Sequence, residues 1–314
     1  MAEVMLIGEP MVIFYANDEG SLTEASSYTK GLAGAEVNVG IGLTRLGHSV
    51  AYMTKLSRDE LGSYIFESLK EEKLASEMIS FDETKQVGIM FKNKVSSGDP
   101  QTLYYRKGSA ASTLSVADVK RIDFSKVKVL HVTGIPPALS QECREACFYM
   151  MKAAREAGCF ITFDPNLRLA LWESQRVMIE TLNSLAQFAH LVLPGVEEGQ
   201  LLTGKKSVEE IADFYLNSGA DGVVMKLGGQ GAFVKEKGEK GYTVSGFKVK
   251  MIVDTVGAGD GFAVGIISGY LDGLNLADSV KQANAIGAIQ IQDASDNQAL
   301  PSRKELSHFM NTDK

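Results

Sequence analysis

Cysteine is scarce in this chain, which has only three cysteines beside one tryptophan and seven prolines. Three thiols cannot form a complete set of disulfides, and no C-x-x-C pair is present to hold a metal ion. Cys143 and Cys147 are four residues apart, so we expect them to share one helix face as small apolar residues. This use of cysteine is typical of a reducing compartment.

Long apolar runs are also absent. No stretch of about 18 uninterrupted apolar residues occurs, so we expect no membrane span. The first residues carry no basic segment followed by an apolar run, so we expect no signal peptide and a cytoplasmic protein. The net charge is −7 with both signs mixed along the chain, which argues against nucleic acid or an anionic membrane as a partner. The four histidines are scattered and predict no metal site.

The chain does contain a regular alternation of strand and helix patterns. Its 314 residues, 45% of them apolar, suffice for one large α/β core. From residue 127 onward, short apolar runs alternate with stretches of helical spacing, and an apolar run over 249–253 predicts one more strand. This order predicts a mostly parallel sheet with helices on both faces. The alternation alone would also suit a dehydrogenase, but the turn after the first strand, Ile7-Gly8-Glu9-Pro10, lacks the necessary glycines.

Two strand-rich stretches interrupt this rhythm, near 9–32 and 84–110. The second contains a hairpin pattern, with strands near 86–91 and 101–107 separated by a polar turn over 96–100. Short strands from separate stretches predict a small β-sheet lid that closes over a site and excludes water. The alternative is an extension of the edge of the main sheet.

The most informative string is D-T-V-G-A-G-D, from Asp254 to Asp260, which precedes a buried helical pattern over 261–271. Its two glycines allow backbone N–H groups to turn inward at a helix N-terminus, where the helix dipole favours an anion. Asp260 then lies in the first turn, beside that anion. A phosphate cradle with a carboxylate that accepts a hydroxyl proton fits phosphoryl transfer. The plainer interpretation is a strand-to-helix turn with an Asp cap.

Three further polar strings stand next to predicted strands or helices. G-L-A-G-A-E-V-N, from Gly31 to Asn38, opens a helix and has the composition to bind sugar hydroxyls. D-P-N-L-R, from Asp164 to Arg168, follows a strand, and ligands of open α/β sheets collect at the carboxyl ends of strands. Tyr104 and Arg106 face one side of a predicted lid strand, and a guanidinium suits a planar carboxylate. Each string alone is also consistent with an ordinary turn or a solvated edge.

A second glycine-rich string, K-L-G-G-Q-G from Lys226 to Gly231, follows another strand. A lysine with three glycines has the composition to contact a nucleotide phosphate, although no G-K-[ST] follows and the next pattern is a hairpin. Glu198 follows a strand end and has the reach to contact a hydrated metal, yet a lone Glu in a first helical turn is more often a dipole partner. Trp172 is expected to pack.

Together these strings, in this order, resemble the ribokinase-like (PfkB) carbohydrate kinases over nearly the whole chain, and within them the 2-keto-3-deoxygluconate kinases. The resemblance implies a three-layer α/β/α fold, one kinase domain over 1–314, and a lid formed by about 9–32 and 84–110. It implies ATP-dependent phosphorylation of a sugar hydroxyl with Mg²⁺. It leaves open a monovalent cation and a homo-oligomer formed through the lid.

The resemblance also implies roles for individual residues. Asp260 would be the general base, with Gly257, Ala258 and Gly259 as the anion hole. The residues implied for the acid sugar are Gly34, Asn38, Tyr104, Arg106, Arg168 and Asp296. Those implied for ATP are Lys226, Gly228, Gly231 and Asn284, with Glu198 acting indirectly on the metal.

Two positions depart from the family pattern. The N-x-x-E motif reads Gly195-Val196-Glu197-Glu198, so Glu198 is kept while Gly replaces Asn. Met90 stands where related enzymes often carry a substrate-contacting tyrosine, which leaves the preferred sugar acid open. A fructokinase or ribokinase remains an alternative, although its neutral sugar would not need two arginines. A non-catalytic sugar- or nucleotide-binding protein is a further alternative, and the presence of Asp260 argues against it.

Overall fold

The computed structural model of the chain describes residues 2–95, 100–293 and 295–312. The strands are Val4–Ile7 (β1), Met11–Glu19 (β2), Tyr28–Ala33 (β3), Val50–Ser57 (β4), Ile79–Asp82 (β5), Gly88–Lys94 (β6), Thr102–Tyr105 (β7), Val129–Thr133 (β8), Phe160–Asp164 (β9), Leu191–Val192 (β10), Gly222–Lys226 (β11), Gly231–Glu236 (β12) and Tyr242–Ser245 (β13). The helices are Ala35–Arg45 (α1), Glu60–Glu71 (α2), Val116–Val119 (α3), Pro136–Leu139 (α4), Gln141–Glu156 (α5), Gln175–Ala186 (α6), Val196–Thr203 (α7), Val208–Ser218 (α8), Ala258–Leu271 (α9), Leu276–Gln290 (α10) and Arg303–Thr312 (α11).

The main sheet has the strand order β13-β12-β11-β10-β9-β8-β1-β4-β5 within the described ranges. The strands from β11 to β5 in this order pair in parallel, and β12 and β13 continue the sheet in antiparallel fashion. The predicted mostly parallel sheet is therefore confirmed. Because parallel strands end at the same edge, the segments that follow β1, β8, β9 and β11 meet there.

Helices cover both faces of this sheet. Along β1, Val4 and Leu6 pack into one hydrophobic cluster with α1, α9 and α10, whereas Met5 and Ile7 pack into a second with α5, α6 and α8. This alternation follows from the two-residue period of a strand. The result is the predicted three-layer α/β/α arrangement. Cys143 and Cys147 are both buried in α5, as predicted from their spacing.

A separate small sheet has the order β3-β2-β6-β7. Its central pair, β2 and β6, is parallel, and the outer pairs are antiparallel. Its strands come from the two stretches that interrupt the alternation, so the alternative of an extended main-sheet edge is wrong. The predicted hairpin is β6–β7, and residues 96–99 of its turn lie outside the described residues.

One predicted strand was wrong, and one strand was missed. The run 249–253 forms no strand among the described residues. Val253 and Asp254 instead donate their N–H groups to the Ile291 carbonyl at the end of α10, and Met251 and Ile252 are exposed. The apolar pattern there reflects a cavity wall rather than a sheet. Conversely, β5 at the main-sheet edge was not predicted.

No helix among the described residues is long and apolar enough to span a bilayer.

Candidate active site

Asp260 lies in the first turn of α9, at the base of a polar cavity of about 400 Å³. The N-cap residue of this helix is Gly257, which has φ of 79° and provides no capping side chain. The first backbone N–H groups of a helix lack intrahelical partners, so this turn can hold an anion. The Ala258 N–H donates to the Thr255 carbonyl at 3.3 Å, a long contact that an anion would replace. A Cβ on Gly257 would lie 2.8 Å from the Asp296 carbonyl oxygen, so both the backbone conformation and the space require glycine there.

Two amide side chains orient the Asp260 carboxylate. Asn38 Nδ2, on α1, donates to Oδ2 at 2.8 Å, and Asn166 Nδ2 donates to Oδ1 at 3.3 Å. Asn166 reaches this position from a left-handed backbone conformation with φ of 37°, where the Asp164 carboxylate accepts its N–H. Each carboxylate oxygen thus has one fixed donor and retains acceptor capacity toward a substrate hydroxyl.

Burial raises the pKa of Asp260 to about 7, and the Asn38 amide only partly offsets this effect. The Asp164 carboxylate raises the pKa further, while Arg168 lowers it. A base with a pKa near neutral pH combines a useful deprotonated fraction with sufficient proton affinity. The environment of Asp260 therefore suits proton abstraction from an alcohol.

The predicted sugar residues all line this polar cavity. Gly34 begins α1 with φ of 142°, Tyr104 comes from β7, and Arg168 follows β9. Arg168 is exposed, and its Nη1 donates to the neighbouring Leu167 carbonyl. The full predicted set found here is Gly34, Asn38, Tyr104, Arg106, Arg168 and Asp296.

Arg106 is held differently from Arg168. It is buried, and its Nε and Nη2 both donate to Oε2 of Glu9, the Nε at 2.7 Å. Glu9 itself is almost fully buried, so the two charges compensate each other. Sequence reasoning did not identify Glu9. Its only signal was a charged residue two positions after the buried strand β1.

Asp296 and Asp254 form a second buried charge cluster with Lys92 of β6. The Lys92 Nζ lies 2.6 Å from Asp254 Oδ2 and 3.2 Å from Asp296 Oδ1. Lys92 was not predicted either, although it is two residues from Met90 and so lies on the same strand face. The side chains of Met90 and Lys92 both line the polar cavity.

An apolar cavity of about 300 Å³ adjoins the polar one on the other side of the α9 N-terminus. Its lining includes Ala258 and all four residues predicted to contact ATP, which are Lys226, Gly228, Gly231 and Asn284. Both amide hydrogens of Asn284 face backbone carbonyls, those of Val244 and Ser245, each at 3.2 Å. The two cavities share Lys226, Thr255 and Gly259, so a ligand in one can contact a ligand in the other.

Lys226 stands at this junction. Its Nζ lies 3.0 and 2.8 Å from the two carboxylate oxygens of Asp164, the last residue of β9. Burial would lower the pKa of Lys226, but the carboxylates of Asp164 and Glu198 outweigh burial and raise it. The ammonium therefore keeps its charge beside the anion-binding turn.

Glu198 caps its own helix. Its Oε1 accepts the Leu167 N–H and its Oε2 accepts the Gly195 N–H, each at 2.8 Å. Its carboxylate also borders the polar cavity near Lys226. In the described part of the chain, no group of three acidic, histidine or cysteine side chains is arranged to hold a metal ion by itself.

Comparisons with known proteins show the family. The model of the pfkB family carbohydrate kinases matches residues 1–303. The chain is 48% identical over 309 residues to 2-dehydro-3-deoxygluconokinase of Bacillus subtilis (strain 168), which covers 98% of this chain and 95% of that protein.

Solved structures give the same result. A PfkB protein from Polaromonas sp. JS666 is 41% identical, with 98% of this chain and 99% of that chain covered and a TM-score of 0.89. A fructokinase double mutant from Vibrio cholerae O395, in its fructose, ADP and potassium ion bound form, is 27% identical, with coverage of 99% and 98% and a TM-score of 0.87. The predicted ribokinase-like fold is confirmed. The chain belongs to the pfkB family of carbohydrate kinases.

Proposed function

We propose that this kinase transfers the γ-phosphoryl group of ATP to the terminal hydroxyl of 2-keto-3-deoxygluconate, giving 2-keto-3-deoxy-6-phosphogluconate. The observation that carries the substrate class is Arg168, an exposed guanidinium on the same cavity as the buried base Asp260. The similarity to the Bacillus subtilis 2-dehydro-3-deoxygluconokinase supports the same assignment.

Arg168 is the better candidate of the two arginines for the substrate carboxylate. Arg106 already directs two N–H groups at the buried Glu9, so its positive charge is largely compensated. The side-chain hydrogen bond that Arg168 makes within the described residues goes to the neighbouring Leu167 carbonyl, which leaves its planar fork available to a carboxylate. We assign Arg106 and Tyr104 to shaping the cavity wall around the sugar.

In the proposed reaction Asp260 accepts the proton of the attacking hydroxyl while the oxygen bonds to phosphorus and the bond to the ADP oxygen breaks. Asn38 and Asn166 keep the carboxylate in place. The N–H groups of Gly257, Ala258 and Gly259 and the ammonium of Lys226 stabilise the transferring phosphoryl group electrostatically. Gly34, Asn38 and Asp296 would contact the sugar hydroxyls.

We assign ATP to the apolar cavity, with its phosphates toward Lys226. Mg²⁺ is usually bound by one or two carboxylates together with substrate phosphates rather than by a protein cage. The site fits that pattern, because Asp164 and Glu198 border the polar cavity beside Lys226, the residue it shares with the apolar one, while the described residues offer no cage of three ligands. When bound with ATP, Mg²⁺ would neutralise charge on the β- and γ-phosphates. Glu198 would act on it through water, since both its oxygens accept backbone N–H groups.

We also assign the small sheet the role of a lid. It supplies Met90, Lys92 and Tyr104 to the polar cavity, so its approach would exclude water from the reacting groups. The edge strand β7 exposes Leu103, Tyr104 and Tyr105, which supports a homo-oligomer formed through this sheet.

A neutral-sugar kinase is the second candidate. The pairing of Arg106 with Glu9 favours it, because only one arginine is then left for a carboxylate. The fructokinase neighbour has the same fold. A coupled ADP-release assay over acid and neutral sugars separates the two, and higher kcat/KM on a neutral hexose would refute our assignment.

The sharper test is Arg168→Ala. A charge-assisted hydrogen bond is worth about 1.5–3 kcal/mol, so KM for 2-keto-3-deoxygluconate should rise at least about tenfold. The weak activity on a neutral hexose should stay nearly unchanged, and Arg168→Lys should rescue only partly because it lacks the planar fork. Arg176→Ala is the matched control, since this exposed arginine pairs with Glu180 on the same helix, α6, and lines neither cavity. An unchanged ratio of kcat/KM between acid and neutral sugar would contradict the role of Arg168.

A further inference from the structure

Lys92 is a buried cation that the proposed mechanism does not use. It lies in β6 of the small sheet, and its side chain is only 4% exposed. Lysine is rarely buried to this extent unless it is paired. Its Nζ is in contact with Asp254 Oδ2 and Asp296 Oδ1, and both carboxylates are buried as well.

The two carboxylates belong to the walls of the anion-binding turn. Asp254 Oδ1 accepts the Val256 N–H at 2.9 Å and so shapes the loop that leads into Gly257. The Asp296 carbonyl packs against Gly257 from the other side, where an added Cβ would lie at 2.8 Å. Gln290 Nε2 fixes the same carbonyl at 2.9 Å. One ammonium therefore joins a strand of the small sheet to both flanks of the turn.

Charge balance makes this ammonium necessary. If the Lys92 ammonium were removed, the buried carboxylates of Asp254 and Asp296 would lose the positive charge that lies between them. Like charges in a dry site repel. Repulsion there would displace the loop before α9 or the segment after α10, and both adjoin Gly257. The geometry of the turn thus depends on where the small sheet puts the Lys92 ammonium.

We propose that Lys92 is a positioning residue for phosphoryl transfer: its ammonium acts as a built-in cation that couples docking of the small sheet to the geometry of the Gly257–Gly259 anion hole. This inference rests on the proposed function of that turn. In the proposed mechanism Lys92 touches neither the reacting hydroxyl nor the phosphoryl group. It acts through Asp254 and Asp296.

The test is Lys92→Met, which removes the charge and keeps most of the volume. Small displacements of catalytic groups reduce turnover strongly, so kcat should fall at least about tenfold, with KM for ATP changing much less. Lys94→Met, two residues further along the same strand at an exposed position, is the control and should leave kcat unchanged. All variants are assayed well below their measured melting temperatures, on whichever sugar the wild type phosphorylates.

Chemical rescue distinguishes positioning by a cation from a merely structural role. Lys92→Ala leaves space for a small cation, so NH₄⁺, K⁺ or methylammonium should restore most of the lost kcat, whereas tetramethylammonium should not. If Lys92→Ala does not fold, Lys92→Ser, which leaves nearly the same space, replaces it, and the same cation dependence is expected. Normal kcat in Lys92→Met, or a loss of kcat in the folded variant that no small cation relieves, would overturn the proposal.

Failure of the proposed function has a different signature. It would appear as a wild type that phosphorylates no acid sugar, or as normal turnover in Asp260→Asn. Neither result depends on Lys92. A wild type active on a neutral sugar would still permit the Lys92 test in full.

Discussion

The pKa of Asp260 leads to a prediction that links catalysis with stability. Burial raises this pKa from 3.8 to about 7 in the folded chain. Asp260→Asn removes the titrating group and keeps the shape of the side chain. We expect kcat to fall by about 10²- to 10⁴-fold, as is typical for loss of a general base. We also expect the same substitution to stabilise the folded protein at alkaline pH.

The sign follows from proton linkage. Because the pKa of Asp260 is higher in the folded state, the folded chain binds this proton more tightly than the unfolded chain does. The free energy of unfolding therefore falls as pH rises from about 4 to about 7 and then levels off. The rise of this pKa from 3.8 to about 7 corresponds to about 4 kcal/mol of destabilisation at about pH 8.5, and to about 2 kcal/mol at about pH 5.5.

The most informative quantity is the change in free energy of unfolding caused by Asp260→Asn, compared between the two pH values. The substituted amide also disturbs the hydrogen bond from Asn38, which costs about 1 kcal/mol at every pH. That cost cancels when the two pH values are compared. Relative to wild type, Asp260→Asn should gain about 2 kcal/mol more in free energy of unfolding at about pH 8.5 than at about pH 5.5.

Urea unfolding followed by the fluorescence of Trp172, the single tryptophan and a buried one, measures this difference. Asp123→Asn is the control. The Asp123 carboxyl accepts hydrogen bonds from Lys126 and Ser125, which lower its pKa to about 2, so it stays ionised across this pH range. Its substitution should therefore have the same effect at both pH values. An equally pH-independent effect of Asp260→Asn, or normal kcat in that variant, would refute the reasoning about a buried base.

Three further predictions concern charge pairing, glycine and motion. Arg106→Met should lower the free energy of unfolding by about 3–5 kcal/mol because Glu9 would be left buried and unpaired, and adding Glu9→Gln should recover much of the loss in urea unfolding. Gly257→Ala should lower kcat and stability together, since a left-handed backbone at φ of 79° costs a non-glycine residue about 1 kcal/mol or more before any steric clash. Hydrogen exchange over 11–33 and 88–105 should slow when sugar binds, and equal exchange in both states would show that the small sheet is fixed.

The sequence predicted the parts of the fold that depend on local pattern. The alternation after residue 127 yielded the parallel sheet, and the two interrupting stretches yielded the small sheet, because strand and helix periodicities are visible within a few residues. The run 249–253 misled because its apolar residues serve a cavity wall. Its backbone hydrogen bonds go to the end of α10, which no local pattern reveals.

The candidate site was likewise predicted only where its residues lie in a recognisable local pattern. Residues within recognisable strings, such as Asn38, Asp260 and Lys226, were predicted and line the two cavities. Glu9 and Lys92 were not, because their importance lies in partners 97 and 204 residues away, Arg106 and Asp296. A lone charged residue beside an apolar strand does not identify its partner, and the partner decides whether the charge is solvated or buried.

Buried charged groups make this site reactive and also lower the free energy of unfolding of the chain. Burial raises the pKa of Asp260 and also that of Glu36, which lines the same cavity, to about 7. Each of these buried carboxyls lowers the free energy of unfolding at neutral pH, whereas an apolar residue at the same position would not. Other buried carboxylates of this cavity do have counter-charges: Lys92 pairs with Asp254 and Asp296, Arg106 pairs with Glu9, and Arg106 also lowers the pKa of Glu36. Both basic residues lie in the small sheet or directly after it. Movement of that sheet would separate these charges, so we expect substrate binding and the position of the small sheet to be coupled.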